Sequence, residues 1–455
     1  MSFALGYGFK RRSYMFYHQS RHIFGSQWIG GAILLFFVIV ALVLANLPST
    51  AGIYHAILNA PIWIKVGPFD FGIDIERFVN DGLMMIFFFS VGLEIKREVV
   101  SGHLSSVQKA ILPVAGALGG MLMPAAIYLL FNHGTEYAVG WGVPMATDIA
   151  FAIAILSVVG RNVPTSLKVF LTALAVADDL GSIIVIAVFY GSSINFMLLL
   201  MAAAVLMIAW LLNIMKVNSF MPYILISIVL WFLFYHSGIH ATIAGVLLAM
   251  FIPSTPKYNK KYFLYKIRYY MNDFINKDKG IPVTENADQM ADLYRIKAIA
   301  SESASLAHRF EHLLSPWVNF AIMPLFALVN AGVEITDPSD LNIFASTQTL
   351  GIFLGLWIGK PLGITLMSWL FIKTKLAVMP EGASWATFIA IACLGGIGFT
   401  MAIFIDTIAF ASQPHLIASG KIAILAASVV AAISGLIAVK CESKPKPDHK
   451  AIAAK

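Results

Sequence analysis

Four ionisable side chains stand inside apolar stretches where charge is costly. Asp148 follows Thr147 in Pro144-Met-Ala-Thr-Asp-Ile, Asp178 and Asp179 sit in Ala-Val-Ala-Asp-Asp-Leu-Gly, and Lys360 sits in Ile-Gly-Lys-Pro-Leu-Gly. A charge at the centre of a bilayer costs about 3 kcal/mol on insertion scales, so such residues mark sites. Consecutive residues on a helix lie about 100° apart. Asp178 and Asp179 therefore face different ways, one toward a bound ion and the other toward a cation, for which Lys360 is the intramembrane candidate. Carboxylates, the Thr147 hydroxyl and backbone carbonyls are oxygen ligands that suit a hard cation, and no Cys or His cluster suits zinc or copper. A buried carboxylate that holds a proton near neutral pH lets a proton and a metal ion compete for the same oxygens. That competition is ion exchange in its simplest form. The bland alternative is a buried ion-pair network that only holds helices together, but buried pairs are weak stabilisers and a carboxylate excess is left over.

Two interrupted helices are expected to position these groups. Gly142 and Pro144 precede Thr147-Asp148, and Gly395-Gly396-Ile-Gly398-Phe-Thr400 lies in a later apolar run. Both are places where an interior helix can unwind and turn carbonyls and helix ends toward a cavity. The surroundings are those of a membrane protein: 59% of the 455 residues are hydrophobic, only 12% are charged and the mean hydropathy is +0.81. This excludes a soluble enzyme, a disordered chain and a fibrous repeat. Windows of about 20 apolar residues predict some twelve spans, near 28–47, 79–95, 108–131, 138–160, 164–190, 194–214, 219–235, 239–252, 317–333, 346–372, 385–408 and 418–440. The fold class is an all-α polytopic membrane protein. Its expected organisation is a basic cytoplasmic extension (1–27), spans one to eight (28–252), a long cytoplasmic loop (253–316), spans nine to twelve (317–440) and a cytoplasmic tail (441–455).

With this segmentation, 27 of the 31 Lys and Arg fall on one side, Lys65, Arg77 and Lys421 fall on the other, and Lys360 lies within a span. By the positive-inside rule both termini are cytoplasmic, so the net charge of +7 reports orientation, not nucleic acid. Alternation of Ile62, Ile64 and Val66 with Phe69, Phe71, Ile73 and Ile75 around Gly67-Pro68 predicts an outer β-hairpin over 62–75. Its edge would suit a second copy or lie on its own helices. The loop 253–316 is expected to be solvated and helix-like from about 284 to 314. Two cysteines, Cys393 and Cys441, make no disulfide framework.

A set of ordered motifs carries a resemblance: Ala146-Thr147-Asp148-Ile149-Ala150-Phe151, Ala177-Asp178-Asp179-Leu180-Gly181, Val91-Gly-Leu-Glu94-Ile-Lys-Arg97-Glu98, Ser237-Gly-Ile-His240-Ala241-Thr242, Gly359-Lys360-Pro361-Leu362-Gly363 and Gly396-Ile-Gly-Phe-Thr400-Met. Together, over roughly residues 28–440, these resemble the NhaA-type sodium/proton antiporters of bacteria. The resemblance implies twelve helices in inverted three-helix repeats, with helices four and eleven broken and crossing. It implies Asp178 and Asp179 as the pair that exchanges sodium or lithium for protons, Asp148 and Thr147 near the broken ends, and Lys360 as the partner that stabilises the crossing. It further implies electrogenic exchange, no cofactor, a bacterial inner-membrane location, homodimers through the outer hairpin, and pH sensing by Glu94, Arg97, Glu98, Glu311 and His312. Read from spacing alone, Glu94, Arg97 and Glu98 make a surface ion-pair cluster of small energetic value, and His240 is a helix-packing histidine near the outer face.

The chain departs from the family pattern in four places. The stretch before Glu311 is some forty residues longer, the N-terminal 25 residues are extra, Ser315 replaces an expected second histidine, and Asp406 puts a carboxylate into span eleven. Asp406 either affects coupling or reaches the outer interface, and the latter is expected. Two other functions compete. A membrane-embedded aspartyl protease would need carboxylates from different helices sharing a proton, and a passive cation channel would be hindered by Lys360.

Overall fold

The computed structural model describes residues 27–66, 69–159, 163–191, 194–335 and 346–442. The expected extension and tail lie almost wholly outside them, at 1–26 and 443–455, as does the Gly67-Pro68 turn. The chain divides into two compact units: residues up to Met84, Glu98–Gly191 and from Pro316 onward form the first, and Met85–Arg97 with Ser192–Ser315 the second.

The first unit opens with α1 (Gln27–Asn46) and the short α2 (Ala51–Leu58). The predicted hairpin follows: β1 (Pro61–Val66) pairs antiparallel with β2 (Phe69–Asp74) in the register Pro61↔Asp74 to Val66↔Phe69. Ile73 is buried while Trp63 is 66% exposed, as the two faces of an alternating strand require. The long helix α3 (Ile75–Val100) contributes its ends to this unit.

Two successions of three then follow the same plan. In the first, α4 (Val107–Asn132) precedes a span made of a 3₁₀ segment, Glu136–Met145, and α5 (Ile149–Val159), and α6 (Thr165–Phe189) follows. In the second, reached after α12 (Leu306–Asn330), α13 (Thr347–Lys373) precedes α14 (Trp385–Gly395) and α15 (Phe399–Ala409), and α16 (Pro414–Glu442) follows. Each succession is long helix, broken span, long helix. The α14–α15 pair is bent by 45°. Helices α4 and α13 lie backbone against backbone where Gly119 meets Gly363, since a Cβ on either would collide with the other's carbonyl. Such small-residue contacts let membrane helices approach closely, and this one brings Lys360 beside the first broken span.

The second unit holds α7 (Phe196–Ile214), α8 (Phe220–Ser237) and α9 (Thr242–Phe251), then α10 (Lys260–Asn276) and α11 (Ala287–Glu302), and the start of α12. Asn259 and Asn286 cap the last two helices by accepting from Tyr262 N and Gln289 N. Helix α10 is more order than the expected helix-like stretch 284–314 contained, and α12, the helix that carries expected span nine, begins at Leu306. Among the described residues ten helices are long and apolar enough to cross a bilayer, and the bent pair makes an eleventh. Expected span eight is the ten-residue α9, only about 15 Å long at 1.5 Å per residue. The chain is an all-α, multi-pass membrane protein, with one small sheet among the described residues.

Candidate ion-binding site

The two breaks meet. Pro144 supplies no N–H, and the chain turns extended at Ala146 (φ −76°, ψ 147°) before α5 begins. Asp148 caps the new helix, its Oδ1 accepting from Phe151 N at 3.1 Å. On the other strand α14 ends at Gly395 and α15 starts at Phe399, whose N–H donates to Ser428 Oγ of α16 at 3.1 Å. A Cβ at Gly396 would stand 2.6 Å from the Leu356 carbonyl, so this run is glycine because α13 passes against it.

Each break satisfies the polar groups that the other leaves open. Asp148 N donates to the Ile397 carbonyl at 2.7 Å. The Thr400 hydroxyl donates to Asp148 Oδ2 at 2.6 Å, and Thr400 N reaches the same oxygen at 3.3 Å. The Thr147 hydroxyl lies 2.7 Å from Asp178 Oδ2 and 3.1 Å from the Gly395 carbonyl. Unwound helix ends expose unpaired donors and acceptors, and in an apolar interior these must find partners within the protein.

Lys360 completes the arrangement. Its ammonium, 0% exposed, donates to Asp178 Oδ2 at 2.7 Å and to the Met145 carbonyl. A π-helical turn, Gly355–Gly359, immediately precedes it, a local widening that recurs at functional sites. Asp178 Oδ1 is buried without a hydrogen-bond partner among the described residues. Asp179, the next residue of the same helix, is 5% exposed. The expectation that one carboxylate meets Lys360 is thus met by Asp178. Asp148, Thr147, Asp178, Lys360, Gly395, Gly396, Gly398 and Thr400 are all brought to the crossing.

Sequence reading missed the backbone oxygens of Met145, Gly395 and Ile397, and Ser428. The glycine-rich breaks signalled that carbonyls would be exposed, but not which ones. Asp406 is 0% exposed, because Gly420 of α16 leaves room for its carboxylate. One expectation is corrected: Lys360 is not the sole buried cation, since Lys421, assigned to an outer segment, lies on α16 at 9% exposure.

In the second unit Arg97 pairs with Glu311 and lies 3.7 Å from Glu94. His312 lines a shallow open groove of about 320 Å³ with Phe220, His308, Arg309 and Leu313. Glu98 belongs to the first unit and accepts from His103 N at 2.8 Å, closing the turn after α3. His240, between α8 and α9, is half-buried.

Residues 21–439 match the family described as Na+/H+ antiporter 1. The chain is 44% identical over 432 residues to the Na(+)/H(+) antiporter NhaA of Oleidesulfovibrio alaskensis, covering 95% of each protein. It is 42% identical over 416 residues to the protein of that name from Sulfurimonas denitrificans, covering 90% of this chain and 93% of that one. Against the one from Helicobacter pylori strain G27 the figures are 42% over 414 residues, with the same coverage.

Proposed function

The chain belongs to the Na+/H+ antiporter 1 family, and from that premise we propose that its exchange runs through Asp178, Asp179 and Lys360 at the crossing of the two broken spans. The protein exchanges sodium for protons; it is a transporter and not an enzyme. The observation that carries the site is the Lys360–Asp178 pair, wholly buried and joined on one oxygen by Thr147.

A sodium ion arriving at the carboxylates competes with the ammonium for Asp178. As it takes the oxygens, Lys360 leaves the pair and gives up a proton, and Asp179 yields the proton it carries. More than one proton then leaves per sodium ion, so exchange moves net charge. Lithium, another hard monovalent cation, suits the same oxygens. Asp148 and Thr400 lock the two breaks together and provide the rigid centre about which access alternates between sides, in the manner of inverted-repeat transporters. The ion moves from the cytoplasm outward across the bacterial inner membrane, with both termini cytoplasmic as the Lys and Arg asymmetry supports. Arg97, Glu94, Glu311, His312 and Glu98 modulate activity with pH. Two copies associate through the β1–β2 edge, where Trp63 is exposed.

The test is a liposome flux assay with the full chain. Sodium is expected to dissipate an imposed pH gradient, and Asp179→Asn to abolish this while the protein still folds. Full exchange by Asp179→Asn would show the site to lie elsewhere.

A further inference from the structure

Asp406 is a buried acid for which the ion site has no use. It lies on α15 six residues beyond Thr400, about 9 Å further along the helix. The side chain is 0% exposed, and neither carboxylate oxygen has a hydrogen-bond partner among the described residues.

The groups facing it come from four elements. Gly420 of α16 opens the space, and a Cβ there would collide with the carboxylate. Lys421, the next residue, supplies its counter-charge and divides that charge with Glu76 at the start of α3. Tyr128 of α4 and Tyr190 at the end of α6 also feel Asp406, but both hydroxyls are committed. Tyr128 donates to the Tyr137 carbonyl at 2.7 Å. Tyr190 donates to the Val139 carbonyl at 2.8 Å and accepts from Gly142 N at 3.1 Å. Those partners all lie on the 3₁₀ segment Glu136–Met145, which ends at the carbonyl that accepts from Lys360. The Asp406 pocket and the ion site therefore flank one short segment.

A carboxylate ion in such a place wants donors, and it has one shared cation at a distance. A carboxyl that gains and loses a proton beside a cation shared with Glu76 fits the surroundings. We propose that Asp406, balanced by Lys421, is a further proton-binding site of the transporter, holding protons in transit between the ion site and the far end of α15. Sequence gave Asp406 no partner, because Gly420, Lys421 and the tyrosines are brought to it only by packing.

The experiment uses infrared difference spectra, acid minus alkaline, of the full-length protein in liposomes, beside flux measured across pH. In Asp406→Asn one protonated-carboxyl carbonyl band is expected to vanish. Exchange should fall several-fold at alkaline pH, where protons are scarce, and approach the parent rate at acid pH. In Lys421→Met the band should persist into alkaline buffer in which the parent has lost it. Spectra of a folded Asp406→Asn identical to the parent would overturn the proposal. So would a lost band with an unchanged flux profile, since the proton would then not be in transit. If Asp406→Asn fails to fold, an unmoved band in Lys421→Met overturns it alone. The infrared reading does not depend on transport, so loss of exchange through the Asp178–Asp179 site is distinguishable from loss of proton binding at Asp406.

Discussion

Lys360 and Lys277 make nearly the same contacts in different places. Lys360 donates to Asp178 at 2.7 Å, and Lys277 donates to Asp273 at 2.6 Å and to Asp292 at 2.8 Å. Distance does not separate them; exposure does. The first pair is 0% and 1% exposed, whereas Lys277 and Asp273 are 31% and 32% exposed. In the membrane interior two charges have given up water and depend on each other and on Thr147 and Met145. Between α10 and α11 water reaches Lys277 and Asp273, and the buried Asp292 has a second cation in Arg295, itself 54% exposed, at 3.1 Å. A buried pair has few alternatives, which is what the proposed exchange at Asp178 rests on; a part-exposed one is mainly a fastener.

The strongest way to break this contrast is at Lys360. Lys360→Met should stop exchange and lower stability by about 3–5 kcal/mol, because it strands Asp178 as an unpaired buried charge. Adding Asp178→Asn should recover part of that stability but no exchange. Thermal unfolding in detergent across this double-mutant cycle would show it, and strictly additive effects would deny the pair its coupling.

A smaller effect is expected at the other junction of the crossing. Thr400→Val keeps the shape and removes the hydroxyl that Asp148 accepts from, at about 1–2 kcal/mol. Sodium should then bind more weakly while expression stays normal. Unchanged thermal midpoints and flux would show the junction to be dispensable.

The α10–α11 ion pair should respond mildly and mainly through pH. Hydrogen bonds from Asp273 and then Asp292 hold the Lys277 proton above the ordinary lysine range. Its contribution is complete below about pH 10 and is lost as pH rises through the raised value. Lys277→Met should remove that alkaline limb from the protease resistance of the helix pair and leave transport alone. The least is expected from Lys279→Met. Lys279 holds Asp288 below the usual carboxylate range, so the pair helps above about pH 4 and fails as pH falls through the lowered value. Both side chains are more than half exposed, and resistance to protease at neutral pH should match the parent.

Much of this was legible in the residues. The scarcity of charge in apolar runs picked out Asp148, Asp178, Asp179 and Lys360, and the glycine and proline positions marked both broken spans. Alternation found the hairpin. Legibility failed where a residue's meaning depends on a neighbour far away in the chain. Asp406 read as a residue near a span end, and Lys421 as a loop cation, because hydropathy locates a segment but not the face that packs. Helix α10 was missed because hydropathy picks out continuous apolar runs, whereas Phe263, Ile267, Met271 and Phe274 make only a one-sided stripe among basic residues.

The sequence by itself determined that the protein is a bundle of membrane helices, where two of them must break, and which few side chains can bear its chemistry. These follow from local rules: the insertion cost of charge, the missing N–H of proline and the period of a strand. Tertiary structure alone decided that Lys360 takes Asp178, that Asp148 is bound by Thr400, and that Asp406 is sealed beside Lys421. Such pairings join residues up to 252 positions apart, and only the close passage of α13 and α14–α15 against the first broken span selects among the partners that composition leaves open.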